Sequence, residues 1–266
     1  MTFDEFKSNP NLVNQYYDLT PTSIKQRDSS INKVIVAAQT YNMSCSDKVK
    51  LSIPCNPLTL YHGTVKEMDL PIKPISKSFS DFGSGFYTAE LKTFAEASSV
   101  KENNTNGVLY TLQCNLDNLK VYNFHNNIEL WYLFTAVNRT YLDLGKYKKL
   151  QEKLNAFNQY DVLVGLIADD RSQRALEDFL DGNITDVCLI ESLKYFELGK
   201  QYVFKTQRAC DSIKIIDIHY NTDDEKSHFK HEVRVRLGKS QAMFENLKAK
   251  YFRVGNSVYN ILEKYK

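Results

Sequence analysis

The chain has 266 residues, of which 42% are hydrophobic and 25% are charged, a composition typical of an ordinary globular protein. Its formal net charge of +2 gives no general electrostatic attraction to nucleic acid or to a membrane surface. The length suits one large domain with additions, or one domain followed by a small helical one.

The cysteines and the N-terminus indicate the cellular compartment. The five cysteines are widely spread and include no C-x-x-C pair, which favours reduced thiols over a disulfide framework or a zinc site. The N-terminus is polar and acidic, unlike a secretory signal peptide, and no apolar run approaches the roughly 18 residues that cross a bilayer. We therefore expect a cytoplasmic protein without a membrane partner; delivery into a host or target cell would leave no mark in this sequence.

The first 57 residues are predicted to be a helical N-terminal addition. Ile31, Val34, Ile35 and Ala38 recur at helical spacing and favour an amphipathic helix over residues 31–41. We expect this helix to pack on the domain that follows, with recognition of a substrate as the alternative.

Strands and helices then alternate along the chain. Residues 160–168 are nearly all apolar and β-branched, which predicts a strand buried on both faces. Residues 223–225 are predicted to be an exposed acidic loop, and residues 232–266 a basic, mostly helical segment interrupted by Gly238 and Gly255. The pattern predicts an α+β fold. Further strands are predicted at residues 58–62, 85–89, 108–114, 121–124, 202–204 and 213–219, and helices at 90–101, 127–141, 171–180 (capped by Asp170) and 185–196.

Two glycine-containing motifs mark the stretch around which the chain is organised. Y-H-G-T occupies residues 61–64, and D-F-G-S-G-F-Y-T occupies residues 81–88. Glycine allows positive φ and lets a ligand approach the backbone closely. A histidine and a tyrosine at glycine-lined strand ends predict a cleft for a flat, hydrogen-bonding ligand.

These motifs resemble the ADP-ribosyltransferase superfamily, in particular its histidine–tyrosine branch and a bacterial family long catalogued only as a domain of unknown function. Three further blocks follow in order: W-Y-L-F-T-A-V-N-R at 131–139, Y-D-V-L-V-G-L-I-A-D-D at 160–170 and Q-Y-V-F-K-T at 201–206. The resemblance implies a catalytic domain over residues 58–220, with a split pair of sheets and NAD as substrate in the cleft between them. A basic helical segment would follow at 221–266.

The resemblance also implies roles for residues of the first two motifs. His62 would hydrogen-bond a ribose hydroxyl, the Gly63 backbone would contact the nicotinamide carboxamide, and Tyr87 would stack on the nicotinamide ring. The alternative for His62 is a structural hydrogen bond at a strand end. Asp81 is predicted to shape its turn more than to contact the ligand. The remaining implied NAD-binding residues are Thr64, Gly85 and Phe86.

The position that would stabilise the reacting ribose departs from the better-known transferases. They carry a glutamate there, whereas the matching residue in this chain is Gln201, and Gly199 stands two positions earlier. Loss of an ionised hydrogen bond would cost roughly 1.5–3 kcal/mol, about one to two decades in rate. Glu129 is a candidate for the missing carboxylate, with a solvated first helical turn as its alternative. Asp169 and Asp170, at the end of the buried strand, are a weaker pair of candidates.

Other chemistry has less support in the sequence. His228 and His231 lie near an acidic run, but without a third ligand at a firm spacing solvated histidines are favoured, and no metal is predicted. The sequence contains no P-loop, Rossmann glycine turn, H-E-x-x-H or G-x-S-x-G motif. The arginines and the histidine pattern of the RNA 2′-phosphotransferase branch are not found either.

The resulting hypothesis is a mono-ADP-ribosyltransferase acting as a bacterial toxin or effector on a macromolecule. A protein acceptor is favoured over nucleic acid, and an antitoxin or immunity protein is a partner that the sequence leaves open. The alternative in another class is a non-catalytic NAD-binding or interaction module, which Gln201 keeps open.

Overall fold

The structure, a computed structural model, describes residues 57–76, 79–100, 107–196 and 199–266, which belong to one unit, Asn56–Lys266. The predicted helix at residues 31–41 lies outside the described residues. The described strands are β1 (Leu58–Thr64), β2 (Phe86–Ala89), β3 (Val108–Cys114), β4 (Val121–Asn123), β5 (Val162–Leu166), β6 (Lys200–Phe204) and β7 (Ile213–Tyr220).

These strands form one mixed sheet in the order β4-β5-β6-β2-β1-β3-β7. The β4–β5 pair is parallel and the other neighbours are antiparallel. β1 pairs with β3 over its full length, but its pairing with β2 is confined to Tyr61 and Ala89 among the described residues. The expected pair of separate sheets is thus one sheet, whose two halves are joined at a single residue pair.

Eight helices of the described residues accompany the sheet. They are α1 (Lys92–Ser98), α2 (Ile128–Asn138), α3 (Lys148–Asn155), α4 (Asp170–Leu180), α5 (Asp186–Tyr195), α6 (Gln207–Cys210), α7 (Asp223–Lys250) and α8 (Val258–Glu263). Short 3-10 helices lie at Phe124–Asn126 and Ala156–Gln159.

The core lies on both faces of the sheet. The larger cluster is built around α2, which is buried on all sides from Leu130 to Ala136. Trp131 is fully buried there, and its indole Nε1 donates to the carbonyl of Leu166 at 3.0 Å. Gly165 permits this contact, because a Cβ at that position would lie 2.8 Å from Trp131 Cδ1. The smaller cluster contains Leu60, Phe86, Tyr110, Leu112 and Phe204 on the opposite face.

The α+β prediction is confirmed, and all seven predicted strands are present within two residues of their expected ends. The predicted acidic loop at 223–225 is wrong, because these residues form the first turn of α7. Thr222 and Glu225 make a capping box, and carboxylates favour a helix N-terminus. Gly238 does not interrupt α7, which runs continuously to Lys250.

Several helix ends also differ from their predictions. The 127–141 helix ends at Asn138, and the helix predicted at 90–101 spans Lys92–Ser98. α4 is capped by Asp169 rather than Asp170, since the Asp169 side chain accepts from the first-turn amides. None of the described helices combines the length and the apolar character that a bilayer-spanning segment requires.

Candidate functional site

A cleft of about 430 Å³ lies where β1 and β2 separate. This volume is within the range of about 300–1,000 Å³ that is usual for small-molecule sites. The strands β1, β2 and β6 contribute His62, Gly63, Tyr87 and Gln201 to its lining. The walls come from α1, from the N-terminal end of α4 and from the middle of α7.

His62 bridges the two halves of the sheet. Its Nδ1 lies 2.7 Å from the carbonyl oxygen of Tyr87, and since a carbonyl only accepts, Nδ1 carries the proton. The imidazole ring also packs against Phe86, with the ring centroids 4.7 Å apart. Burial lowers the pKa of His62, although the bond to the Tyr87 carbonyl acts in the opposite direction. The ring is therefore neutral near pH 7, with Nε2 as a hydrogen-bond acceptor.

Tyr87 is fixed by the turn that precedes β2. Its hydroxyl donates to the carbonyl of Gly83 at 2.8 Å and accepts from the backbone N–H of Phe82 at 2.8 Å. Burial raises the pKa of the phenol, so the hydroxyl is neutral near pH 7. The ring is partly buried against the larger core cluster and lines the cleft. His62 and Tyr87 therefore both line the cleft, but the His62 ring packs against Phe86, with the two rings tilted by 38°, rather than against Tyr87.

Gly63 is required by packing as well as by access to the cleft. A Cβ at this position would lie 1.7 Å from the carbonyl oxygen of Ala95 in α1. The helix therefore crosses directly over β1, and Ala95 and Ser98 join Gly63 in the cleft lining. No side chain larger than hydrogen fits there without displacing α1.

Gln201 is buried on β6 and reaches the cleft from the other half of the sheet. Its Nε2 donates to Asp81 Oδ2 at 2.8 Å and to the carbonyl of Leu166 at 2.9 Å. Asp81 is itself buried, forms a salt bridge with Arg139 and does not line the cleft. Its side chain is bonded to Arg139, Ala168 and Gln201, which are distant in the chain, rather than to its own turn. Both of its predicted roles, shaping that turn and contacting NAD, stay predictions.

Charged residues at the end of β5 and on α7 also line the cleft. Asp169 caps α4 and forms a salt bridge with Arg171, with 2.5 Å between Oδ2 and Nη2. Asp170 is exposed, and its side chain makes no hydrogen bond or ion pair with any described residue. The guanidinium of Arg236 lies 5.6 Å from the Phe94 ring centroid and has no ionic partner in the described part of the chain. Among the described residues, Arg236 is therefore a positive charge at the cleft without an ionic partner.

The sequence analysis did not identify either arginine as a site residue. The strand-end position of Asp169 and Asp170 was a usable signal for Arg171, because the three residues are consecutive. No signal pointed to Arg236, since α7 is far from the motifs in sequence and meets them only through the fold.

Glu129 is not brought to the cleft. It lies in the first turn of α2, where its carboxylate accepts from the hydroxyl of Tyr265 at 2.6 Å and lies 3.4 Å from Lys264 Nζ. The first-turn position is that of the alternative interpretation, but the residue is not simply solvated, because its partner Tyr265 is buried.

Three further predicted residues support the cleft from outside its lining. Phe86 is buried beneath the His62 ring, and Thr64 pairs with Val108 at the end of β1. Gly85 allows close packing on β6, because a Cβ there would lie 2.6 Å from Val203 Cγ1. None of the three lines the cleft in the described structure.

The two histidines considered as metal ligands do not line the cleft. His228 and His231 lie on the exposed part of α7, and no group of three or more metal-ligating side chains occurs among the described residues. The site is thus a cleft of an α+β protein with a neutral histidine, a tyrosine fixed by hydrogen bonds, a buried glutamine and an arginine without an ionic partner among the described residues.

Residues 58–215, more than half of the chain, match the family described as "Protein of unknown function (DUF3990)". The chain belongs to this family. No curated protein and no solved structure matched the chain. The matched segment contains β1 through the first part of β7, and hence His62, Tyr87 and Gln201, but not Arg236.

Proposed function

We propose that the protein is an NAD-dependent mono-ADP-ribosyltransferase that cleaves the nicotinamide–ribose bond and transfers ADP-ribose to a macromolecule. The observation that carries the proposal is the convergence of three separate motifs on one cleft. His62, Tyr87 and Gln201 come from β1, β2 and β6 and line the same space of about 430 Å³. Their resemblance to the histidine–tyrosine branch supplies the chemistry.

The reaction demands few groups, but they must be well placed. The C–N bond to nicotinamide breaks with its electron pair leaving on nicotinamide, and the ribose carbon acquires positive charge, as in glycoside hydrolysis. An acceptor nucleophile then bonds to that carbon and releases a proton. The protein must hold both ends of the dinucleotide and present electron-rich atoms to the developing cation.

The side chains of the cleft suit these tasks. Neutral His62 offers Nε2 as an acceptor for a ribose hydroxyl, because Nδ1 is committed to the Tyr87 carbonyl. The Tyr87 ring offers an apolar surface for nicotinamide. Arg236 offers a guanidinium without an ionic partner among the described residues, which suits the diphosphate of NAD.

Gln201 is the neutral counterpart of a carboxylate in this scheme. It accepts a hydroxyl hydrogen but brings no negative charge, which makes it weaker than a glutamate by roughly 1.5–3 kcal/mol of transition-state stabilisation. We accordingly expect slow turnover, about one to two decades below that of an enzyme with a carboxylate there. Asp170 is an exposed carboxylate at the same cleft, whereas Glu129 makes its contacts elsewhere.

The test is transfer of label from NAD to macromolecules in a cell lysate. Labelled protein supports the favoured acceptor class, and labelled nucleic acid supports the same reaction on the alternative acceptor. His62→Ala and Tyr87→Ala are expected to abolish labelling, whereas the exposed His125→Ala serves as the matched control. Labelling that survives both cleft substitutions would reject the proposed site.

A second candidate function is binding of NAD without turnover. It is favoured by one observation: Gln201 is neutral and its amide nitrogen is fully occupied by Asp81 and Leu166. Stoichiometric NAD binding with neither nicotinamide release nor label transfer, across lysates of different origin, would support this function over the first.

A further inference from the structure

A buried carboxylate behind the cleft has no part in the proposed chemistry so far. Asp81 is 7% exposed, and both of its oxygens accept hydrogen bonds. Oδ1 accepts from Arg139 Nε at 2.8 Å and lies 2.6 Å from Nη2. Oδ2 accepts from the backbone N–H of Ala168 at 3.2 Å and from Gln201 Nε2 at 2.8 Å. Asp81 therefore joins the charged Arg139 to the amide of Gln201.

Arg139 is held in turn by neutral groups. Its Nη1 donates to Gln173 Oε1 at 2.8 Å, and its Nη2 donates to the carbonyl of Ala168 at 2.7 Å. An arginine fixed by three residues leaves Asp81 little freedom to rotate. The carboxylate is a rigid, acceptor-only partner for Gln201.

This partner determines which way the Gln201 amide points. A carboxylate and a carbonyl oxygen can only accept, so both Nε2 hydrogens face Asp81 and Leu166. No amide donor remains for a ligand. The other atom, Oε1, receives no hydrogen bond from any described residue, and the residue lines the cleft. Gln201 thus meets a ligand only as an acceptor.

We infer that Asp81, braced by Arg139, is a positioning residue that makes Gln201 an obligate acceptor for a sugar hydroxyl. The inference rests on the proposed function for the identity of that hydroxyl, which belongs to the ribose next to nicotinamide. The part that does not depend on NAD is that Asp81 requires a hydrogen-bond donor at position 201, which an amide supplies and a second carboxylate does not. A glutamate at position 201 would place one carboxylate oxygen where Nε2 now lies, about 2.8 Å from Asp81 Oδ2 and 2.9 Å from the Leu166 carbonyl oxygen, and neither of these atoms donates a hydrogen bond.

The consequence is that Gln201→Glu damages this site, although it supplies the negative charge that a cation would favour. Asp81→Asn should relieve part of that damage, because Arg139 will orient the new amide so that its nitrogen faces residue 201 and donates to the glutamate, while the Ala168 N–H loses its acceptor. The test is a cycle of wild type, Gln201→Glu, Asp81→Asn and the double variant, with exposed Gln151→Glu as the matched charge control. Each is measured by thermal unfolding and by nicotinamide release from NAD well below the unfolding temperature.

We expect Gln201→Glu to lower the unfolding temperature and to reduce kcat at least tenfold. The double variant should recover a substantial part of both. Asp81→Asn alone should lower kcat more than it raises KM, because the amide of residue 201 loses its fixed orientation. A purely structural Asp81 would lower the unfolding temperature and leave kcat of the folded enzyme unchanged, and that result would overturn the inference. The inference would also be overturned if the changes in unfolding temperature of the two single variants summed to that of the double variant, or if Gln201→Glu turned over faster than wild type.

Failure of the proposed function gives a different result. If wild type releases no nicotinamide, that function falls, and coupling in the unfolding cycle alone decides whether Asp81 orients Gln201. If Gln201→Glu does not fold, the wild type still permits a test by hydrogen exchange of the Gln201 side-chain amide, followed by NMR. Exchange much slower than for the exposed Gln151 supports the inference, and exchange at the same rate overturns it.

Discussion

His62 Nδ1 donates to the carbonyl oxygen of Tyr87 at 2.7 Å, across the point where β1 and β2 cease to pair. A side chain thus replaces the backbone hydrogen bond that two paired strands would make there. The bond fixes the tautomer of the ring and leaves Nε2 as the acceptor. Because the pKa of His62 is lowered, this arrangement persists below the usual titration range of histidine near pH 6.5.

The first prediction concerns the pH dependence of stability. The unfolded chain takes up a proton on His62 near pH 6.5, while the folded protein does so only at lower pH. Between these values the unfolded state holds more protons, so the free energy of unfolding falls as the pH is lowered. His62→Gln keeps a donor for the Tyr87 carbonyl but does not titrate. Denaturant unfolding from about pH 5 to pH 8 should therefore show that the free energy of unfolding falls less on acidification in this variant than in wild type.

The other histidines are present in both proteins, so the difference between the two curves isolates His62. Parallel curves would show that His62 titrates as in an unfolded chain and would remove the basis for a neutral acceptor at Nε2. NAD affinity of wild type should likewise decline only below the lowered pKa of His62 and not at pH 6.5.

The second prediction separates the hydroxyl of Tyr87 from its ring. Tyr87→Phe leaves the amide of Phe82 without its partner, which should cost about 1–3 kcal/mol of stability, whereas the carbonyl of Gly83 keeps the hydrogen bond from the Ser76 hydroxyl. The ring remains, so NAD affinity of the folded variant should stay close to that of wild type. Tyr87→Ala removes both and should lose affinity. Equal loss of affinity in the two variants would show that the hydroxyl, rather than the ring, contacts the ligand.

The third prediction concerns the contact between β1 and α1. Gly63→Ala places a Cβ 1.7 Å from the Ala95 carbonyl oxygen, so α1 has to move. We expect destabilisation of about 1–3 kcal/mol and a loss of NAD affinity, because α1 lines the cleft. Gly238→Ala is the matched control: nothing lies within 4 Å of its Cβ, and alanine should stabilise α7 by up to about 1 kcal/mol. Thermal unfolding should show a lowered stability for Gly63→Ala and a raised stability for Gly238→Ala. A Gly63→Ala variant as stable as wild type would contradict the close crossing of α1 over β1.

The fourth prediction concerns the positive charge of Arg236 at the cleft. Arg236→Ala should raise the KM for NAD about ten- to a hundredfold, the equivalent of roughly 1.5–3 kcal/mol for a charged hydrogen bond. The defect should shrink as salt is added, since salt screens the same attraction in wild type. Arg234→Ala, an exposed residue of the same helix that does not line the cleft, should leave KM unchanged. An equal rise in KM in both variants would show that the net charge of the protein, rather than the position of Arg236, determines the affinity for NAD.

The sequence predicted local structure where one face or one motif decides it. The buried strand at Val162–Leu166 follows from its unbroken apolar run, and the strands around His62 and Tyr87 were also expected, although β1 continues through Gly63 to Thr64. The start of α7 was mispredicted because Asp223 and its acidic neighbours are compatible both with a loop and with a first helical turn. Only the capping contact between Thr222 and Glu225 distinguishes the two.

Long-range pairing was beyond prediction. Arg139 and Gln201 follow Asp81 by 58 and 120 positions, and no spacing rule predicts that these three side chains meet. The same is true of Arg236, which reaches the cleft only because α7 packs across α1. Polar residues of this kind belong to a site through tertiary contacts, so the sequence names their chemistry but not their partners.

The central claim is that the opening between β1 and β2 binds NAD. The most direct measurement is isothermal titration calorimetry with a non-cleavable NAD analogue, in wild type, His62→Ala and Glu129→Gln. We predict one bound analogue per wild-type chain, strong loss of affinity in His62→Ala, and unchanged affinity in Glu129→Gln, whose carboxylate contacts Tyr265 instead of the cleft. Absence of binding to wild type, or equal binding by wild type and a folded His62→Ala variant, would contradict the claim.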